Sequence, residues 1–252
     1  MQPQSRIIKS CGTGVNTGKV DRSGYRPGMR TAVVVLFLFV SPVAAVEQPA
    51  EDKTRVTEEW HLVSHSPELS LYRRARSGSA LKEFKAIGTI NAPTRVVHNV
   101  LNDVQGYPKF MPFVAECRVL KREGNSFYSY QRISPKIIGD RDYTLHIDER
   151  TWPEENGAVY SKKWKTANEF GPAARKGILR VKICDGSWLL EPETAETTRA
   201  TYSVYTDTGG SLPSFLANIA SEIGIQKVFT AVCRQVKDPK YRSNRDFLEP
   251  ET

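Results

Sequence analysis

The sequence predicts an α+β domain in which a strongly curved antiparallel sheet is crossed by one long helix close to the C-terminus. Three observations carry that reading. At 100° per residue, Phe215, Ile219, Ile223, Gln226, Phe229 and Cys233 fall within about 120° of one another, so a helix of about 24 residues opens at Pro213. Before it, alternating segments at about 116–122, 126–133, 141–150, 158–166, 177–190 and 198–206 read as strands separated by turn residues. No internal repeat and no second apolar block follows a linker, so one domain accounts for the pattern. A helix that long needs a long apolar surface beneath it. Laid across a curved sheet, it encloses a lined cavity instead of a solid core, an arrangement suited to carrying an apolar molecule.

The elements follow in order. Residues 46–58 are charged and read as a linker or an amphipathic first helix. Trp60–Ser66 and Leu69–Ala75 are strands broken at Ser66-Pro67, and Phe84–Ile90 alternates as a third. Asn91-Ala-Pro93 supplies a capping side chain and a first-turn proline for a helix over Thr94–Asp103, with Val96, Val97, Val100 and Leu101 on one side. Gly106, Pro108 and Pro112 end it in a turn rich in Tyr107, Phe110, Met111 and Phe113. Glu123-Gly-Asn125, Pro153-Glu-Glu-Asn-Gly157 and Glu193-Thr-Ala-Glu196 punctuate the hairpins. Gly209 and Gly210 tolerate positive φ in the turn before the long helix, and Ser211 is placed to cap it. Gly224, costing roughly 1 kcal/mol against Ala in a helix, predicts a point of flexure. Lys237-Asp-Pro239 stops the helix, which leaves 239–252 as a flexible polar tail.

The N-terminal 45 residues read as a leader. Arg30 precedes the apolar run Ala32–Val40, and Ser41-Pro-Val-Ala-Ala45 offers small residues before a cut, the layout of a secretory signal peptide starting at Met29 and cleaved after Ala45. Nine apolar residues fall short of the roughly 20 needed to span a bilayer. The leader also carries most of the basic excess. Removing its six bases and one acid from the chain's 36 and 28 leaves a charge of only +3, which argues against a nucleic-acid partner. The expected location is outside the cytoplasm, periplasmic or secreted.

Chemistry is sparse. His61 and His65 lack a third ligand nearby, and His98 and His146 stand singly, so no metal and no cofactor is expected. No nucleophile elbow, phosphate-cradling loop or Cys-x-x-Cys is present, and no catalytic residue is assigned. Cys117, Cys184 and Cys233 allow at most one disulfide and read as small core residues.

Four ordered segments carry a family likeness. These are Val104-Gln-Gly-Tyr-Pro-Lys-Phe-Met-Pro112, Gly139-Asp-Arg-Asp-Tyr143, Trp188-Leu-Leu-Glu-Pro192 with Thr198-Arg-Ala-Thr-Tyr202, and Asp207 to Asn218. Together the stretch from about 55 to 238 resembles the START (steroidogenic acute regulatory-related lipid transfer) domain, which implies a helix-grip fold over residues 59–238 with a hydrophobic cavity. The resemblance implies that the domain binds one lipid or other hydrophobic molecule and transfers it between membranes, touching each membrane surface transiently and acting as a monomer. It places the strand of Arg141 and Tyr143 along the cavity. Neighbours on a strand point to opposite faces, so only one of Arg141 and Asp142 looks inward, and the sequence leaves open which. Expected wall residues are Phe215, Ile219, Ile223, Gln226 and Phe229 on the helix, with Tyr130, Tyr143, Trp188 and Tyr202 on strands. Two loops are expected to form a portal meeting the membrane, through Ile137 and Ile138 and through Arg175 and Lys176. The alternatives are a cyclase or aromatase of the wider superfamily working in the same cavity, and a sensor that binds a ligand without moving it.

Overall fold

A computed structural model describes residues 59–135 and 138–249; the leader, the 46–58 segment and Ile137 lie outside them. Ten strands form one sheet, antiparallel except for one short strand. They are β1 (His61–His65), β2 (Leu69–Arg76), β3 (Ser79–Ile90), β4 (Val114–Glu123), β5 (Ser126–Ile133), β6 (Arg141–Glu154), β7 (Gly157–Thr166), β8 (Leu179–Arg180), β9 (Ile183–Thr194) and β10 (Thr197–Asp207). Their order is β1-β2-β3-β10-β9-β7-β6-β5-β4, with the short β8 running parallel to β6. The helices are α1 (Thr94–Asn102), the single turn α2 (Tyr107–Phe110) and α3 (Ser214–Gln235).

This is the expected helix-grip, with local differences. The segment expected as one strand over 177–190 is two, because Leu179 and Val181 donate to the carbonyls of Asp140 and Asp142 before the chain turns into β9. Asn91 and Ser211 do not cap. Pro93 and Pro213 themselves occupy the N-cap positions, and their carbonyls accept the first amide bonds of α1 and α3. Gly209 and Gly210 adopt φ of 64° and 80°, the left-handed turn expected of them.

The stretch after α3 is not a loose tail. Residues Pro239–Arg242 form a 3-10 turn, and Tyr241, Phe247 and Leu248 are buried. Arg95 on α1 donates to the carbonyls of Arg242 and Ser243, and Asn99 to that of Tyr241. The Tyr241 hydroxyl donates to Asp103 at 2.7 Å and accepts from Gln235 at the end of α3. This strap ties the C-terminal end of α3 to α1. Its charged composition hides three apolar anchors that fall at no regular period.

The core lies on the concave side. Leu71, Phe84, Ala86 and Ile90 from the sheet meet Val96, Val97, Val100 and Leu101 of α1 and Ile225, Phe229 and Val232 of α3. Two glycines admit large rings there. A Cβ on Gly88 would stand 2.8 Å from the tip of Phe229, and one on Gly186 would stand 2.4 Å from the Trp164 ring. The sheet is notched so that aromatic rings can lie flat upon it.

Candidate functional site

Residues directly paired across an antiparallel sheet share a face, so the register sorts every strand residue into inside or outside. One row runs Ala86, Tyr202, Trp188, Lys162 and Glu149, and the next runs Phe84, Val204, Gly186, Trp164 and Ile147. Both contain core residues, which identifies the concave face. Along β6, alternation then puts Arg141, Tyr143, Leu145 and Ile147 inside. Asp142, Thr144 and His146 point outward.

The concave face divides into three zones. Its middle is aromatic. Trp188 stacks on Tyr202 with ring centroids 4.5 Å apart, Trp164 lies 5.9 Å from Tyr202, and Phe229 of α3 covers Trp188 at 6.1 Å. Desolvation raises the phenols of Tyr107 and Tyr143 well above their ordinary range and that of Tyr202 likewise, yet all three side chains keep partial accessibility. All three rings thus lie deep in the fold, packed against the core yet not fully covered by it. Tyr143 donates to Gln131 on β5 and Tyr107 to the Leu101 carbonyl, whereas the Tyr202 hydroxyl has no partner among the described residues. Cys117 and Cys184 border the same space, unpaired, with burial pushing their thiols up to about 12 and about 11.

One end of the face is a closed polar cluster. Lys162 lies 2.5 Å from Glu149 and donates to Asn102, while His98 of α1 lies 3.4 Å from Glu149 and stacks on Tyr160. Burial pushes the Glu149 carboxyl up, but the His98 hydrogen bond and the Lys162 charge outweigh it and hold it at about 2. Burial lowers the pKa of His98 and of Lys162 against the pull of Glu149. Each member is spent on another, which makes a structural lock instead of an acid-base pair awaiting substrate.

The other end holds Arg141, beneath the Gly209–Gly210 turn that leads into α3. Its neighbour Asp142 is turned to the convex side, where Arg180 grips it at 2.6 and 3.1 Å and Tyr130 donates to it at 3.1 Å.

The family model described as polyketide cyclase/dehydrase and lipid transport matches residues 90–233. The chain belongs to that family. Its fold is that of the START domain. A STAR-related lipid transfer protein of Xanthomonas axonopodis superposes with a TM-score of 0.64 at 27% identity, covering 71% of this chain and 99% of that one. An uncharacterized protein of Pseudomonas aeruginosa is 31% identical over 164 residues, 65% of this chain and 79% of its own. Human phosphatidylcholine transfer protein is 21% identical over 198 residues, covering 78% and 90%.

In this START domain the expected wall residues separate. Trp188, Tyr202, Tyr143 and Phe229 meet on the concave side, and Arg141 joins them at one end. Tyr130 does not. It lies on the convex face, buried under the Arg118 and Arg175 guanidiniums and bonded to Asp142. Phe215, Ile219 and Ile223 are 63%, 51% and 47% exposed. The inward lane of α3 is Ala217, Ile225, Phe229, Ala231 and Val232, about a third of a turn from the apolar stripe. Gln226 donates weakly to Ser64 at 3.5 Å, and with Ile223 it borders an outer groove of about 380 Å³ against Phe110 and Pro112.

Of the expected portal, Ile138 is half-buried and Lys176 is exposed. Arg175 is not a free base, since it bonds Glu116 at 3.1 Å. His61 and His65 lie on the edge strand β1, where His65 bonds Ser70. Sequence reasoning passed over Tyr107, Trp164 and Asn218. The first and last stood inside the matched motifs, and Asn218 clamps α3 to the start of β3 by accepting from the Lys82 amide and donating to the Ala80 carbonyl.

Proposed function

We propose that this START domain holds one amphipathic lipid between the aromatic floor of its sheet and α3, and carries it from one membrane to another. The observation that carries the reading is the aromatic zone of Tyr107, Tyr143, Trp164 and Tyr202, half-buried on the concave face, capped by Phe229 and ending at a buried arginine. Apolar walls replace lipid surroundings at about 25 cal/mol per Å² buried, so extraction is close to balanced, and a few polar groups choose the head. The human relative's name, phosphatidylcholine transfer protein, supports a phospholipid-sized cargo.

Exchange needs contact with a bilayer. Phe215, Leu216, Ile219 and Ile223 form an exposed apolar strip on the N-terminal half of α3, and exposed Leu179 lies against the Gly209–Gly210 turn that precedes it. A strip of that kind suits shallow insertion at a membrane surface. The leader delivers the domain to the periplasm or outside the cell, where it acts as a monomer. A cyclase would need free acid-base groups converging in the cavity, and the pairing of Glu149, Lys162 and His98 with one another favours a carrier.

The test is transfer of a fluorescent phospholipid between donor and acceptor vesicles. The native chain is expected to transfer at a rate proportional to its concentration. The double variant Ile219→Glu, Ile223→Glu, altered only at exposed positions, is expected to slow transfer about tenfold or more while still binding lipid. Absence of transfer by the native chain contradicts the reading.

A further inference from the structure

Arg141 is 6% exposed and belongs to the concave face, two residues along β6 from Tyr143. It carries five donors. One nitrogen donates to the Gly139 carbonyl, and the buried Nε has no partner. No carboxylate among the described residues pairs with it. The acids on either side are already engaged: Asp140 holds Arg132 and Ser134 at 2.6 Å each, and Asp142 faces away to Arg180. Another guanidinium nitrogen lies 3.8 Å from where a Cβ would stand on Gly210, so the group sits directly under the turn that precedes α3. Burial lowers its pKa with no opposing charge to restore it. A guanidinium stays charged even so, and a buried charge without a counter-ion is costly.

We propose that the missing counter-ion is the lipid's own head group: Arg141 selects an amphipathic lipid bearing an anionic oxyacid, a phosphate or a carboxylate. Both present paired oxygens to the planar fork of a guanidinium. The head then lies under the Gly209–Gly210 turn and the chains run towards Tyr143, Tyr202 and Trp188. This rests on the carrier reading and deepens it from a hydrophobic cargo to an acidic one.

The experiment compares matched lipids on the delipidated full chain, read by displacement of a fluorescent lipid. The pairs are dioleoyl phosphatidic acid against dioleoylglycerol, and oleate against oleyl alcohol. In at least one pair the acid is expected to bind about ten- to hundredfold tighter, the range for a buried charge-assisted bond. The pair that shows it separates a phosphate from a carboxylate. Arg141→Gln is expected to abolish the preference and Arg141→Lys to keep part of it. Equal binding of acid and neutral partner in both pairs by the native chain overturns the proposal, and that comparison does not depend on any variant folding. A full preference retained by Arg141→Gln also overturns it. If the neutral lipids bind as well as the acids, the carrier reading survives without this selectivity; if no lipid binds at all, both fall.

Discussion

Arg141 and Asp142 are adjacent residues with opposite work. Alternation along β6 separates them to the two faces, but only the register with β5 and β7 tells which face is concave, so the sequence left the choice open. Asp142 faces outward and is buried by the excursion between β7 and β9. Asn168 assists it by accepting from the Thr144 amide and donating to the Val181 carbonyl. A second buried charge set lies at the far end of the concave face. Glu149 titrates near 2 in the folded chain against 4.5 for an ordinary glutamate, so the unfolded chain takes up the proton first. Its contribution to stability is complete above about pH 4.5 and is lost as pH falls towards 2, up to about 3 kcal/mol. His98 acts in the same sense, because its folded pKa lies below 6.5 and the unfolded chain again protonates first. The urea midpoint is therefore expected to fall steadily from pH 7 to pH 3. In Glu149→Gln it is expected to start lower at pH 7, with Lys162 left unpaired, and to fall less steeply. Equal slopes for the two proteins would remove Glu149 from the account.

The long helix was legible as an element and misread as a surface. Its bounds agree within two residues of those expected, but its apolar stripe is not its buried one. In the N-terminal half the inward lane holds Ala217, Asn218 and Ser221, small or polar residues that a hydrophobicity plot ignores. The bulky Phe215, Ile219 and Ile223 face outward. The two halves are also held unequally. From Ile225 onward α3 is packed into the core and fastened by the strap through Gln235 and Tyr241. Before Gly224 its polar ties to the sheet are the two bonds of Asn218. Opening is thus expected at the N-terminal half, above Arg141. Asn218→Ala, losing bonds worth about 1 kcal/mol each, is expected to speed lipid release several-fold. Gly224→Ala has room for its Cβ and gains helix propensity of up to about 1 kcal/mol, so it is expected to slow release. Stopped-flow release of a fluorescent lipid measures both. Unchanged rates in the two variants would mean that α3 does not gate the site.

Across the whole molecule, the hairpin punctuation and the final helix were enough to read the grip. The strap after Pro239 and the inner position of Trp164 and Tyr107 were not. Their burial is decided by pairings between segments far apart in the chain. The architecture leaves an aromatic floor that the protein's own side chains cover only in part, and the carrier reading depends on a lipid completing it. Mass spectrometry of the full chain, purified without detergent and sprayed under native conditions, tests that most directly. The expected spectrum shows one lipid bound per chain, released into organic solvent as a single class with an acidic head group. A chain that emerges empty, and stays empty after incubation with phospholipids, fatty acids and sterols, would contradict the account.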